Sequence, residues 1–405
     1  MMQTWLAIVG ICDDGLEGLS PVARSLLDGA AVVVGGTRHL AMLPAGDRRE
    51  QLPWSRPLTD TLAQIEQRRG QAVCVLASGD PLWYGIGATL CRRLAPSEFT
   101  IVPAPSAFSL ACARLGWPLA EVETLSLCGR EPTRLNAVLY PGARLLVLSA
   151  DRSTPNRVAQ LLVQAGFGAS HLTVLEHLGG PRERIFHGEA ATWVAAPGAD
   201  LNTIAIACQP SPGAGPGYAP RLPGLPDQAY RHDGQLTKRE VRAVTLSTLA
   251  PRPGELLWDV GAGCGSIGIE WLRSDRRCRA IALEQHPERL QLIAHNAAAL
   301  GTPQLHLVPG PAPATLAGLP TPAAIFIGGG LTTPALVDTC WQALGPGGRL
   351  VANAVTVESE AVLLQHQSQI GGQLTRIAIQ RAEPLGKFLS WKAMAPVTQW
   401  AVVKP

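Results

Sequence analysis

Residues 256–266 read LLWDVGAGCGS, and this stretch decides the fold of the second half of the chain. The apolar run Leu256–Val260 predicts a buried strand, and the three glycines that follow predict a tight turn into a helix. In such a turn the backbone N–H groups at the helix N-terminus can approach a polar ligand closely. Glu284 ends the next predicted strand, 21 residues after Gly263. A carboxylate at that place can bind the two hydroxyls of a ribose.

This layout fits a nucleoside ligand of one of two kinds, a nicotinamide dinucleotide or S-adenosylmethionine. The dinucleotide fingerprint G-x-G-x-x-G requires glycine at position 266, where this chain has Ser266. The observed pattern D-x-G-x-G-x-G, which begins at Asp259, favours a nucleoside that carries a sulfonium amino acid and no pyrophosphate. We therefore predict S-adenosylmethionine at this loop. NAD, with oxidoreductase chemistry, and a turn that binds no ligand are the alternatives.

Four segments of the second half carry a more specific signal than the glycine loop alone. They read DGQLTKREVR at 233–242, DVGAGCGSIG at 259–268, IFIGGG at 325–330 and NAVTVE at 353–358. Together they resemble the CbiT-type methyltransferases of the corrinoid pathway, which implies a Rossmann-like class I methyltransferase sheet of seven strands. By position, the resemblance implies contacts to S-adenosylmethionine from Thr237, Gly261, Ala262, Gly263, Cys264, Gly265, Glu284 and Ala312.

Two positions depart from the pattern of these methyltransferases. The acidic residue that is common before Ala312 is Pro311 here, and the aspartate that is usual before the strand at 325–330 is replaced by Ala323. We expect Pro311 to alter the contacts to adenine. Ala323 removes a carboxylate from the expected site.

The first half has a second set of loops, each at the end of a predicted strand. The segment ASGDPLWYG at 77–85 is ordinary turn chemistry when taken alone. With VGICDDGL at 9–16, GGTRHL at 35–40 and PAPSAF at 103–108, it resembles the class III tetrapyrrole methylases of the CbiE type. The resemblance implies two small α/β lobes with S-adenosylmethionine in the cleft between them. By position, the cofactor-binding residues are Gly79, Asp80, Trp83, Ser106 and Ala107.

Cys12 departs from that pattern, because the methylases usually have glycine in this loop. If the position requires a positive φ, a side chain there costs about 1 kcal/mol. A first module that binds or supports substrate without catalysing a reaction is therefore an alternative.

Residues 209–227 separate the two modules with six prolines and four glycines among nineteen positions. We predict α/β domains at 1–208 and 228–405 joined by this linker. A CbiE-like module fused to a CbiT-like module resembles the precorrin-6B C5,15-methyltransferases (decarboxylating) of the CobL type. This implies two cofactor sites, methylation at C-5 by the first module, and methylation at C-15 with loss of CO2 from an acetate by the second. The implied product is precorrin-8X of aerobic cobalamin biosynthesis.

A substrate with many carboxylates predicts cationic side chains around both sites. The substrate-binding candidates are Arg38, Arg130, Arg134 and Arg239. The candidates for catalysis are His39, Lys238, Glu240 and Arg242. Solvated surface charge is the alternative for each cation, and a helix partner of arginine is the alternative for Glu240.

Composition excludes several other classes of protein. The net charge is +3, from 34 Lys and Arg against 31 Asp and Glu. No basic run occurs, so a nucleic-acid methyltransferase is disfavoured. The nine cysteines form no C-x-x-C pair, and we predict no metal site and mostly buried thiols. The chain begins without a basic segment or a membrane-length apolar run, so we expect a cytoplasmic protein. Analogy with CbiT-type proteins predicts a homo-oligomer, a tetramer built through the C-terminal domain.

Overall fold

The computed structural model describes residues 4–194, 198–213 and 219–405, and these residues form two compact units. Unit 1 comprises residues up to 132 together with residues 140–213, and unit 2 comprises residues 133–139 and 219–405. Residues 214–218 of the predicted linker lie outside the described part of the chain. Leu225, near the end of that predicted linker, is fully buried in the core of unit 2.

The first sheet of unit 1 contains five parallel strands in the order β3-β2-β4-β1-β5. The strands are β1 (Leu6–Ile11), β2 (Val32–Gly35), β3 (Glu50–Pro53), β4 (Val73–Ser78) and β5 (Phe99–Val102). Every residue of β1 and β2 is buried, as expected for strands that are covered on both faces. Because all five strands run in one direction, the loops that follow β1, β2, β4 and β5 lie at the same edge of the sheet.

The second sheet of unit 1 has the order β6-β7-β10-β8-β9. Its strands are β6 (Glu123–Ser126), β7 (Arg144–Leu148), β8 (His171–Glu176), β9 (Arg184–Glu189) and β10 (Asn202–Ala207). β6 and β7 are parallel, and the other neighbours are antiparallel. The helices of unit 1 are α1 (Pro21–Asp28), α2 (Thr37–Leu40), α3 (Leu58–Glu66), α4 (Gly87–Leu90), α5 (Ala107–Leu115) and α6 (Thr154–Gln164).

Unit 2 is built on a seven-stranded sheet in the order β13-β12-β11-β14-β15-β19-β16. Its strands are β11 (Leu256–Val260), β12 (Arg279–Glu284), β13 (His306–Pro309), β14 (Ala324–Ile327), β15 (Arg349–Ala354), β16 (Gln373–Ile377) and β19 (Val397–Val403). Five strands are parallel, and β19 is antiparallel to both of its neighbours. A separate hairpin consists of β17 (Gln380–Leu385) and β18 (Phe388–Ala393).

The helices of unit 2 cover both faces of this sheet. They are α7 (Arg239–Leu249), α8 (Ser266–Ser274), α9 (Pro287–Ala299), α10 (Leu336–Ala343) and α11 (Val357–Ile370). One apolar core includes Trp271 of α8 and Ile293 of α9, and the other includes Val337 of α10 and Leu363 of α11. The fold-class prediction is thereby confirmed: unit 2 has the seven-stranded doubly wound sheet, and unit 1 has two α/β lobes.

The strand predictions fail where strands are short or exposed. The sequence predicts one strand over Leu374–Gln380, but in the structure β16 ends at Ile377 and β17 begins at Gln380. The exposed strands β3, β9, β17 and β18 and the half-buried β6 lack the apolar runs on which the prediction depends. Among the described residues, no helix is long and apolar enough to span a membrane.

Candidate active sites

The glycine loop of unit 2 is shaped by backbone conformations that favour glycine. Gly261, Gly263 and Gly265 have φ values of +70°, +61° and +82°. A Cβ atom on Gly261 would lie 2.9 Å from the backbone nitrogen of Gly329, and one on Gly265 would lie 2.8 Å from Cγ2 of Ile293. The loop thus packs against the segment after β14 and against α9, which leaves room for a ligand above it.

Two buried carboxyl groups hold this loop at the carboxyl ends of β11 and β12. Glu284 accepts hydrogen bonds from the backbone N–H of Gly263 at 2.9 Å and of His286 at 3.0 Å. Asp259 accepts from the N–H of Gly268 at 2.9 Å, and burial raises the pKa of its carboxyl group to about 7. Glu284 therefore holds the glycine loop, whereas Asp259 supports the first turn of α8.

A cavity of about 660 Å³ opens over the loop, which is within the range of small-ligand sites. Predicted cofactor residues on its wall are Thr237, Gly261, Ala262, Gly263, Glu284 and Ala312. Cys264 is buried, and its carbonyl accepts a hydrogen bond from Asn296, so its role is to shape the loop. Pro311 also lines the cavity, beside Ala312. The carboxylate, the loop N–H groups and these apolar surfaces fit the ribose, amino acid and adenine parts of S-adenosylmethionine.

The charged residues predicted around α7 separate into distinct environments. Lys238 occupies the N-cap position of α7, without a side-chain cap bond, and lines the cavity, whereas Arg239 is exposed and its backbone N–H donates to Asp227 Oδ1. Glu240 pairs with Arg381 of β17 at 2.5 Å, so its partner is on the hairpin and not one helical turn away. The helix-partner interpretation of Glu240 is therefore wrong.

Arg242 is completely buried, and this corrects the prediction that it is catalytic. Its Nε donates to Glu270 at 2.6 Å, and its guanidinium lies 4.8 Å from the ring centroid of Tyr230. Its other nitrogens donate to the carbonyls of Thr237 and Leu225. Because the Arg242 guanidinium is enclosed in this way, it cannot contact a substrate. It holds the segment before α7 onto α8.

The hairpin contributes cavity residues that the sequence analysis missed. Glu383 and Lys392 of the hairpin, and Met394 directly after it, line the same cavity as Lys238. The scarcity of lysine could have pointed to Lys392. The chain has only four lysines, and two of them, Lys238 and Lys392, line this cavity.

In unit 1, Gly79 and Ala107 line a cleft of about 60 Å³ where strand ends of both sheets meet. Gly79 has a φ of +57°, and a Cβ atom there would lie 3.0 Å from the carbonyl oxygen of Pro105. The other predicted cofactor residues are not among those that line this cleft, although Asp80 and Ser106 adjoin Gly79 and Ala107 in sequence. Asp80 accepts a hydrogen bond from the N–H of Leu82, and Ser106 accepts from the N–H of Ser109 as the cap of α5. Trp83 is half exposed, with its ring edge-on to Phe108.

A polar network occupies the same cleft. Arg38 donates to Asp13 at 2.9 Å and to Ser78 at 3.0 Å, and Asp13 also contacts His177 at 2.9 Å. His39 is buried, with Nε2 3.0 Å from Ser78 Oγ.

The proposed role of His39 as a proton donor is not supported by this environment. Burial, with the charge of Arg38, lowers the pKa of His39 to about 4. The imidazole is therefore neutral at pH 7. It serves to hold the loop that begins at Ser78.

The other departures and candidates of unit 1 have plain structural explanations. Cys12 has no positive φ, so the strain considered for a side chain in this loop is absent. Arg130 is exposed and lies 5.1 Å over the ring of Tyr84. Arg134 is half-buried in a 3-10 turn that is grouped with unit 2. The nine cysteines are free thiols and six of them are buried, as predicted.

Comparison with known proteins first defines the class. The model of tetrapyrrole (corrin/porphyrin) methylases matches residues 6–193, and the model of the precorrin methyltransferase domain matches residues 228–404. Two relatives from Salmonella typhimurium each match part of the chain. A cobalt-precorrin-7 C(5)-methyltransferase is 32% identical over 44% of this chain and 88% of its own length. A cobalt-precorrin-6B C(15)-methyltransferase (decarboxylating) is 34% identical over 40% and 85%. The chain is thus a methyltransferase with two methyltransferase modules.

Relatives that match over nearly the whole length show the family. A precorrin-6Y C(5,15)-methyltransferase [decarboxylating] of Sinorhizobium sp is 48% identical over 100% of this chain and 97% of its own. The chain belongs to the family of precorrin-6Y C(5,15)-methyltransferases (decarboxylating).

Proposed function

We propose that the chain methylates precorrin-6B (also written precorrin-6Y) at C-5 and C-15, decarboxylates one acetate side chain and releases precorrin-8X in cobalamin biosynthesis. Unit 2 would methylate C-15 and remove CO2, and unit 1 would methylate C-5. The observation that carries this proposal is the cavity of unit 2, which is lined by Glu284, the glycine loop and the cationic Lys238. The separate C(5) and C(15) relatives support one reaction for each unit.

In unit 2 the residues around the cavity would bind and orient the cofactor and the substrate and would exclude water. Bound S-adenosylmethionine supplies an electrophilic methyl group, and a conjugated meso carbon is already a nucleophile. Glu284 would hold the ribose, and the loop from Gly261 to Gly263 would hold the amino-acid part. Lys238 would bind a substrate carboxylate. Apolar side chains such as Ile377 and Met394 line the cavity and would exclude water from the bound reactants, and in-line placement in a water-excluded site supplies much of the rate.

In unit 1 the loops after β1, β2, β4 and β5 would form the second cofactor site, with Gly79 and Ala107 on its floor. Arg38, which lines the same cleft and remains partly exposed, is the candidate to bind a carboxylate there. Asp13 holds the guanidinium in place.

A second candidate function has its own observation. The described cleft of unit 1 measures about 60 Å³, against about 660 Å³ in unit 2. A single-site methyltransferase on another substrate, with unit 1 as a binding scaffold, would show this difference.

We also propose that the protein is a homo-oligomer of the cytoplasm, assembled through unit 2. The β17–β18 hairpin exposes Leu385, Phe388, Leu389 and Trp391, each more than 60% accessible. Leu385 and Phe388 lie on one face of the hairpin and Leu389 and Trp391 on the other, and large apolar side chains exposed together in this way mark an interface more often than a free surface. The nine free thiols fit a reducing compartment.

The number of cofactor sites is the test. Calorimetric titration of the full chain with S-adenosylmethionine is expected to show two sites per chain. Gly263→Arg, which fills the cavity of unit 2, should remove one of them, and Asp80→Ala should remove the other. Gly345→Arg is the matched control, because a Cβ atom there meets nothing within 4 Å.

One site that only Gly263→Arg removes would favour the scaffold function of unit 1. If NAD, and not S-adenosylmethionine, raised the melting temperature of the chain, the proposal would be overturned.

A further inference from the structure

The two faces of the β17–β18 hairpin differ in chemistry. Directly paired residues share a face, and these include Arg381 with Lys392, Glu383 with Ser390, and Ala382 with Trp391. One face therefore carries Arg381, Glu383 and Lys392, with Leu385 and Phe388 beside the turn, and the opposite face carries Ala382, Leu389 and Trp391. Glu383 and Lys392 line the cavity of unit 2, so the charged face of the hairpin contributes to its wall.

Arg381 and Lys392 are like charges at directly paired positions, which is unfavourable unless each has a carboxylate. Arg381 has two, because it contacts Asp227 at 3.2 Å and Glu240 at 2.5 Å. These contacts tie β17 to the segment before α7 and to α7 itself. Arg381 is thus committed to positioning the hairpin.

The ion pair of Lys392 differs from those of Arg381. Its Nζ contacts Glu383 Oε2 at 3.0 Å, which uses one of the three ammonium hydrogens. The two side chains remain 72% and 51% exposed, and an ion pair this exposed contributes little stability. Exchange of Glu383 for an incoming carboxylate therefore costs little.

We propose that Lys392 is a specificity-determining residue that binds a carboxylate of the tetrapyrrole, with Glu383 as its resting partner and Arg381 as the residue that positions the hairpin. Lys238 on the same cavity wall provides a second cation, so two lysines read two carboxylates of one macrocycle. This inference rests on the proposed polycarboxylate substrate and adds the hairpin to its site.

The test uses the full chain, saturated with S-adenosylhomocysteine, and titrates uroporphyrin III, an octacarboxylate tetrapyrrole, by fluorescence. Lys392→Met is expected to raise the Kd about fivefold, the equivalent of one exposed charge pair. Lys392→Arg should retain binding. Lys387→Met is the matched control, since Lys387 lies in the turn between the same two strands. It should change the Kd by less than about 1.5-fold.

Glu383→Gln separates this role from a structural one. Removal of the resting partner is expected to tighten uroporphyrin binding about twofold, whereas a structural pair would leave it unchanged or weaker. The Kd for S-adenosylhomocysteine should stay constant in every variant. Equal losses in Lys392→Met and Lys387→Met would overturn the hairpin inference alone. No uroporphyrin binding by the unsubstituted chain would overturn the proposed function together with it.

Discussion

Asp259 and Glu284 are both buried carboxyl groups at strand ends, but they accept different numbers of hydrogen bonds. Glu284 accepts two backbone N–H groups, and Asp259 accepts one on Oδ2 while its Oδ1 has no hydrogen-bond partner in the described structure. A buried carboxyl group with few donors favours its protonated form. Asp259, with one donor, is therefore a structural acid that takes up a proton easily, whereas Glu284 is fixed by two backbone donors.

The stability of the protein should therefore depend on pH through Asp259. Its pKa is about 7 in the folded state against 3.8 ordinarily, so the folded state keeps a proton that the unfolded chain releases. The stability that this protonated group contributes is present below about pH 4 and is lost progressively as the pH rises to about 7. Asp259→Asn should stabilise the chain at pH 8 by up to about 4 kcal/mol and have little effect at pH 4.

Urea unfolding of both proteins across this pH range measures the effect. Asp275→Asn is a control, since Asp275 is paired with Arg277 at the surface. Parallel stability curves for Asp259→Asn and the unsubstituted chain would contradict the assignment.

At the scale of elements, the start of α7 carries a lysine and an arginine whose different environments cannot be distinguished from the sequence. Lys238 and Arg242 belong to one run, TKREVR, yet the first lines the cavity and the second is enclosed with Glu270. Glu270 also accepts from the N–H groups of Gly224 and Leu225 and from the Tyr230 hydroxyl. Helix α7 therefore serves as binding wall at its start and as anchor one turn later.

Substitution along α7 should separate these two roles. Arg242→Met leaves the Glu270 charge buried without its cation and should lower the free energy of unfolding by about 3–5 kcal/mol. Lys238→Met should lower it by less than about 1 kcal/mol, because its ammonium is not in the core. Denaturant unfolding monitored by circular dichroism gives both values. A stable Arg242→Met chain that has lost only methyl transfer would restore the catalytic role.

The elements that the sequence predicts well are those with an unambiguous local cause. The buried run Leu256–Val260 and its glycines predict both a strand and a ligand loop, because apolar burial and positive φ leave few alternatives. The hairpin was missed since β17 and β18 are exposed and Pro384 interrupts the first of them. Proline is tolerated there in a sheet of only two strands. Charge partners such as Arg381 with Glu240 depend on residues 141 positions apart and cannot be inferred from spacing.

At the scale of the whole molecule, the exposed hairpin predicts self-association. Replacing Phe388 and Trp391 together with serine should shift the protein toward the monomer, because more than 70% of each side chain is accessible. Light scattering after size exclusion measures the mass. Val194→Ser, at an 83% exposed position of unit 1, is the control. An unchanged mass for the double variant would place any interface elsewhere.

The order of the unit 2 sheet has a consequence for synthesis. β19 is the last of its strands along the chain, yet it lies between β15 and β16. During synthesis on the ribosome, the edges of β15 and β16 that pair with β19 stay unpaired until residues through Val403 have emerged. The sheets of unit 1 need nothing beyond Ala207. A nascent chain that stalls between these two points would carry a complete first unit and an open, aggregation-prone second sheet, which is the form that chaperones and proteases would meet.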